Sequence, residues 1–472
     1  MLEATPADLA RRSADGVWAP GRRRLTAGLV LTVTLVAFES LAISTVMPVV
    51  ADELGGLGLY GWVFSGFFLG ALLGIVVAGL LADQRGTRLP FVAGLVCFSI
   101  GLVVGASAQS MGMLVAGRVA QGFGAGVIPA VAYVSIGRVY PVNLRPRVFA
   151  IFSSAWVIPG LVGPAAASTL ADVASWRAVF GLLLPLVLLA ALMTLPALSD
   201  SPVRSAVAGR PRAERPSSKR LVNAIVLVVG AALVLAGLGA SSLPVAAALV
   251  VVGLVPAALA FLRLVPTGTV RLAAGLPAAV AVRGILTFAF FGADAYVSLT
   301  LTEARGSSTR MAGAALTAAT LTWTAGSWIQ QKVIAERGPR WLVQRGFLCV
   351  ALGVAGMLVV LTSVPTWTVL LAWAFGGLGM GLAYGPLSVT ALGLAEPGRE
   401  GQATASLQLT DVLGVSLGTG VGGVFVALGE GQGWDVGSSL TLAFATALVV
   451  AVAGILAAGH LPRSLPTGDP AR

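Results

Sequence analysis

Residues 25–50 read LTAGLVLTVTLVAFESLAISTVMPVV, an apolar run interrupted by a single acid, Glu39. As a helix rising 1.5 Å per residue, this run exceeds the roughly 30 Å of a bilayer's hydrocarbon core. A carboxylate at the centre of such a span costs about 2.5–3.5 kcal/mol on insertion scales, which marks Glu39 as a functional candidate. A second acid, Asp294, lies 255 residues later inside another apolar run at 277–301. The same offset carries Gly122, Gly124 and Gly126 onto Gly377, Gly379 and Gly381, so the chain reads as internally duplicated. Glycines spaced in this way let helices approach closely, and packing is the role expected of them.

The composition excludes a soluble globule. Hydrophobic residues make up 57% and charged residues 10%, with a mean hydropathy of +0.92, against about 25% charged in ordinary domains. The net charge of +11 does not imply nucleic acid, because the cations sit in short segments between apolar runs and report topology. Cys97 and Cys349 are far apart and inside spans, so neither a disulfide framework nor a thiolate metal site is expected. His460, the one histidine, falls at the end of the last span and reads as an interface residue.

Apolar segments long enough to cross fall at 26–50, 59–82, 89–108, 112–137, 148–171 and 177–197, then 221–240 and 243–262, then 277–301, 312–332, 341–363, 366–393, 402–428 and 437–460. This predicts an all-α polytopic membrane protein of fourteen spans. Its parts are a tail (1–25), a six-helix bundle (26–197), a basic linker (198–220), two additional helices (221–264), a second six-helix bundle (277–460) and a tail (461–472). With both termini cytoplasmic, 25 of the 30 Lys and Arg residues fall on the cytoplasmic side. Six plus six spans with internal repetition is the plan of carriers that hold cargo at a bundle interface near mid-membrane.

Between the second and third spans the chain reads Gly79-Leu-Leu-Ala-Asp83-Gln-Arg85-Gly86-Thr-Arg88, and a degenerate copy, Glu336-Arg337-Gly338-Pro339-Arg340, follows in the second block. The first resembles the signature cytoplasmic loop of the major facilitator superfamily, Gly-x-Leu-Ala-Asp-Arg-x-Gly-Arg-Arg, with Gln84 and Thr87 in place of two basic residues. The resemblance implies a conformational switch in which Asp83 meets a helix N-terminus of the other bundle, around Gln402–Thr404. In the fourth span, Arg118-Val-Ala-Gln121-Gly122-Phe-Gly124-Ala-Gly126 is similar to the family's Arg-x-x-Gln-Gly motif, associated with proton transfer in proton-coupled members. In the first, Glu39 through Pro48 resembles the Asp-x-Thr-x-x-Asn-x-Ala-Leu-Pro pattern of the fourteen-span drug:proton antiporters, with Glu for Asp. In the fifth, Pro159-Gly160-Leu-Val-Gly163-Pro164-Ala-Ala-Ala-Ser168 is similar to the antiporter motif containing Gly-Pro-x-x-Gly-Gly, with its last glycine pair replaced.

Arg118 and Glu39 are expected at similar depth, so that proton and cargo compete there; a fixed structural ion pair is the plainer alternative. Asp294 and Asp411 are further proton-coupling candidates, each either neutral and hydrogen-bonded or bridged to Arg283. Tyr133, Trp156, Phe291, Trp323 and Trp373 are candidates for a cavity lining that stacks on flat or cationic lipophiles. Trp62, Trp176, Trp341 and Trp367 lie near span ends and read as interface anchors. The resemblance implies a proton-coupled exporter of lipophilic or cationic drugs, or of a native amphiphile, working by alternating access as a monomer in the plasma membrane. A nutrient symporter on the same fold and a lipid-handling membrane protein are the alternatives. Nothing points to an enzyme, a metal or nucleic acid, and the proton gradient is the only co-reactant required.

Overall fold

A computed structural model describes residues 16–19, 22–140, 144, 148, 151, 155, 157–198, 218–240, 242–396 and 400–464. The described chain is helical: α1 (Arg23–Leu54), α2 (Tyr60–Arg85), α3 (Arg88–Ala106), α4 (Met111–Val139), α5 (Val157–Val173), α6 (Trp176–Thr194), α7 (Ser218–Leu238), α8 (Leu243–Leu264), α9 (Leu276–Leu299), α10 (Thr309–Val360), α11 (Thr368–Gly393), α12 (Glu400–Gln432) and α13 (Val436–Ala457). Helices suit these sequences because hydrocarbon offers no partner for a backbone amide, so each must be satisfied within its own segment. Side chains close several first turns: Ser110, Ser308 and Asp435 accept from the backbone N–H groups of Met113, Met311 and Ser438.

Among the described residues, twelve helices are long and apolar enough to cross a membrane. One of them, α10, runs 52 residues and cannot be one crossing; it breaks at Gly338 (φ 74°, ψ 167°), where the sequence separates the spans at 312–332 and 341–363. The expected fifth span is described from Val157 only, as the 17-residue α5, and its earlier part lies largely outside the described residues. Two further expectations are corrected. The second span, expected to end at 82, runs on as α2 to Arg85, so residues 83–85 of the loop motif are helical and the true turn is Gly86 and Thr87 alone. Trp176, read as an interface anchor, is 1% exposed and donates its Nε1–H to Glu53 at 2.8 Å, because α6 starts against the end of α1.

The duplication extends to atomic contacts. A Cβ on Gly122 would lie 1.9 Å from the carbonyl oxygen of Phe67, and one on Gly377 would lie 2.0 Å from that of Ala319. Gly126 and Gly381 meet the carbonyls of Ala71 and Trp323 at 2.1 and 2.2 Å; Gly124 and Gly379 meet those of Gly94 and Gly346, both at 2.4 Å. The fourth helix of each block therefore repeats at 255 residues, and the second and third at 252. The tight turns repeat as well: Gly86 has φ 83° and ψ −176°, close to Gly338. This left-handed region suits glycine and strains other residues.

The two blocks meet closely at the end opposite these turns. Gly61 of α2 faces Gly423 of α12, where a Cβ on either would fall 2.4–2.5 Å from the other's Cα. Tyr60 hydrogen-bonds the Ala295 carbonyl at 3.3 Å and its ring lies 5.6 Å from that of Tyr296. A cleft of about 540 Å³ opens at this end, between Asp52 and Asp172 of the first block and Glu303 and Arg310 of the second. Helices α7 and α8 form a hairpin packed through Gly230 and Gly253; α7 leans on both α2 and α12, while α8 is largely exposed.

Candidate functional site

Three polar centres lie inside the apolar helices, the first fully buried and the other two partly so. The first joins α1 to α4. Arg118 is 1% exposed; its Nη1 donates to the Glu39 carboxylate and to Gln121 Oε1 (3.2 Å), its Nε donates to the Val63 carbonyl (3.1 Å), and its guanidinium lies 4.2 Å from the centre of the Phe67 ring. The Arg118-to-Gln121 spacing of three puts both on one helical face toward α1. Saturation is incomplete: Glu39 Oε2 and Gln121 Nε2 are buried without a partner. An arginine with carboxylate, carbonyl and ring partners offsets much of its desolvation, whereas an orphaned carboxylate oxygen does not.

The second centre joins α9 to α11. Trp373, fully buried, donates its Nε1–H to Asp294 Oδ1 at 2.8 Å and stacks on Phe290, with centroids 5.1 Å apart and planes 10° from parallel. Phe290 also meets Trp323 edge-on at 5.7 Å, and Phe291 lies 6.2 Å from Trp323. The third ties α9, α11 and α12 together. Arg283 Nε donates to Asp411 Oδ1 at 2.8 Å, and its Nη1 donates to the Tyr384 carbonyl at 2.7 Å. The Tyr384 hydroxyl donates to Asp411 Oδ2 at 2.9 Å, and the Tyr384 ring lies 5.6 Å from that of Trp323. The bridge to Arg283 thus falls to Asp411. Asp294 has no arginine or lysine partner among the described residues.

Of the candidate cavity residues, Trp323, Phe291 and Trp373 share this aromatic group, with Trp373 fully interior. Trp156 lies outside the described residues, and so does the side chain of Tyr133. Phe290 and Tyr384 are members that the sequence reading missed: each sits in an apolar helix where an aromatic reads as packing, and only contact with a buried charge sets it apart. In the turn region, Arg85, Arg88, Glu336 and Arg337 are exposed, and the side chain of Asp83 lies outside the described residues. The carbonyl of Arg463 occupies the space a Cβ on Gly338 would fill, at 1.7 Å, so the chain after α13 covers the second turn. In α5, Gly160 and Pro164 face Thr320 and Gly313 of α10, which makes this motif a contact between blocks.

Residues 29–293, more than half the chain, match the family described as Major Facilitator Superfamily. The chain belongs to the Major Facilitator Superfamily, and it is a multi-pass membrane transporter, not an enzyme. A probable multidrug-efflux transporter of Mycobacterium tuberculosis (strain ATCC 25618 / H37Rv) is 29% identical over 451 residues, covering 91% of this chain and 92% of its own. The multidrug transporter protein MdtP of Bacillus subtilis (strain 168) is 28% identical over 169 residues, covering 36% of this chain and 31% of its own. In structure, an auto-inhibited POT family peptide transporter superimposes with a TM-score of 0.66 at 16% identity, over 95% of this chain and 98% of that one. A D-xylose-proton symporter gives 0.66 at 16% identity, over 93% and 98%. At such identities these two share the fold.

Proposed function

We propose that this protein is a proton-coupled exporter of lipophilic or cationic drugs, or of a native amphiphile, built as two six-helix bundles plus the α7–α8 hairpin. In this reading fourteen spans cross the plasma membrane, both termini are cytoplasmic, and the monomer is the working unit. The observation that carries the reading is the buried Glu39–Arg118 pair with its unpartnered Glu39 Oε2. A proton arriving on that oxygen removes the charge that holds Arg118, and the guanidinium is left to its Val63 carbonyl, Gln121 and Phe67 contacts. Protonation at Glu39 thereby changes the contact between α1 and α4, and a structural change biased by a proton is what coupling requires. Asp411, held by Arg283 and Tyr384, offers a second carboxylate of the same kind. Asp83, at the end of α2, acts as the latch toward the N-terminus of α12. The efflux names of the relatives support export and drug-like cargo.

The test is uptake and release of several lipophilic cations in liposomes carrying an imposed pH gradient. Wild type is expected to move cargo against the proton flux, and Glu39→Gln to bind cargo but lose gradient-driven movement. Coupling that survives Glu39→Gln unchanged would refute the assignment.

A further inference from the structure

The two acid centres occupy the same place in the two halves of the duplication. Glu39 and Asp294 are 255 residues apart, and so are their hydrogen-bond donors, Arg118 and Trp373. The glycines that follow these donors meet carbonyls at equivalent positions in both halves, so the fourth helices share register and depth. One position therefore holds a carboxylate with a guanidinium, and its counterpart holds a carboxylate with an indole N–H. An indole supplies a hydrogen bond and no charge. The surroundings have changed in step: Phe67, which faces the guanidinium in the first half, corresponds to Ala319, and aromatic mass has moved to Phe290, stacked on Trp373, and to Trp323.

We infer that Asp294 is the charge-selecting element of the cargo site: the cationic group of a lipophilic cargo takes, against this carboxylate and the adjacent aromatic faces, the place that Arg118 takes beside Glu39. A carboxylate inside an apolar bundle with no internal cation is costly unless it takes up a proton or something supplies the countercharge. Asp411 does not compete for that role, because Arg283 already neutralises it. Asp294 is accessible: it is half-buried, as are Phe291 and Trp323, while Trp373 and Phe290 back it from the interior. Helix α9 is packed by α1 and by α10 to α13, so the exposed part of Asp294 opens among those helices and away from lipid. A lipophilic cation desolvated there gains Coulomb attraction and cation–π contact together, a combination worth far more than either in water.

The inference rests on the export reading for the word cargo, and its test needs no gradient. Binding of tetraphenylphosphonium, a lipophilic monocation, and of uncharged triphenylphosphine oxide is measured by calorimetry on the purified full-length protein. Asp294→Asn keeps the acceptor for the Trp373 N–H and removes the charge; it is expected to weaken the cation at least about tenfold, near 1.4 kcal/mol, and to leave the neutral ligand unchanged. Trp373→Arg supplies an internal countercharge and is expected to weaken the cation likewise. Trp373→Phe keeps the ring and is expected to retain cation binding, which separates charge from packing should the arginine variant misfold. Equal affinity of Asp294→Asn and wild type for tetraphenylphosphonium overturns the inference, as does parallel loss of both ligands, or proton uptake on Asp294 as the sole change. Asp294-dependent binding without proton-driven export sinks the export reading and leaves this one standing; export with Asp294-independent binding does the reverse.

Discussion

Arg118→Met isolates the energetics of the first acid centre. The substitution removes a side chain that is 1% exposed and makes four kinds of contact: the Glu39 carboxylate, Gln121 Oε1, the Val63 carbonyl and the Phe67 face. Methionine fills much of the volume, so the change acts mainly through polarity. Removing one partner of a buried ion pair costs about 3–5 kcal/mol, because the other charge is left without compensation. The Val63 carbonyl adds about 1 kcal/mol as a lost hydrogen bond. Glu39→Gln in the Arg118→Met background removes the stranded charge and is expected to restore about 2–3 kcal/mol, since replacing a whole buried pair by neutral groups is often close to neutral. Reversible unfolding of the four proteins in mixed micelles at one pH gives the double-mutant cycle. A single Arg118→Met variant within about 0.5 kcal/mol of wild type would refute the reasoning, and so would a double variant no more stable than Arg118→Met.

Gly122→Ala is expected to destabilise by about 1–3 kcal/mol through overpacking against Phe67, whereas Gly79→Ala, with nothing within 4 Å of the added carbon, is expected to be neutral or to gain up to about 1 kcal/mol from helix propensity; thermal melts of the two compare them directly. Gly338→Ala is expected to release the chain after α13, since a Cβ cannot share space with the Arg463 carbonyl, and faster proteolysis beyond α13 would report it. Hydrogen bonds from the Ser438 hydroxyl and backbone hold the Asp435 carboxyl below the usual carboxylate range. A depressed carboxylate contributes stability above its unfolded value, about 3.9, and loses it as pH falls through the folded one; a melting profile against pH should therefore lose its acid step in Asp435→Ala.

Much of this architecture is legible because a bilayer imposes length and leaves charges only where they are held. Runs bounded by charges or turn residues became α1 to α4, α6 to α9 and α11 to α13 with ends within a few residues, two more became the halves of α10, and Glu39 and Arg118 stood out because an ion in an apolar helix has to be explained. Legibility fails where local sequence does not encode a neighbour. The offset of 255 was visible from acids and glycines on the first and fourth helices; the second and third follow 252, and Phe67 and Ala319 share no side-chain feature that would reveal it. Trp373 is the clearest case: its residue type suggests stacking, and only its place opposite Asp294 makes it the counterpart of an arginine. The bridge to Arg283 was open to both Asp294 and Asp411 in the sequence, and the choice of Asp411, 128 residues away, depends on how α9 and α12 cross.

The glycine contacts also have a mechanical consequence. With carbonyl oxygens sitting where a methyl would be, α2 is seated against α4 without clearance, and the 309–337 half of α10 is seated in the same way against α11. Two helices joined so closely resist both sliding and bending, because any shear drives backbone into backbone. Each pair is therefore expected to move as one body, broader than a lone helix, and to carry a displacement at one end of the molecule toward the other.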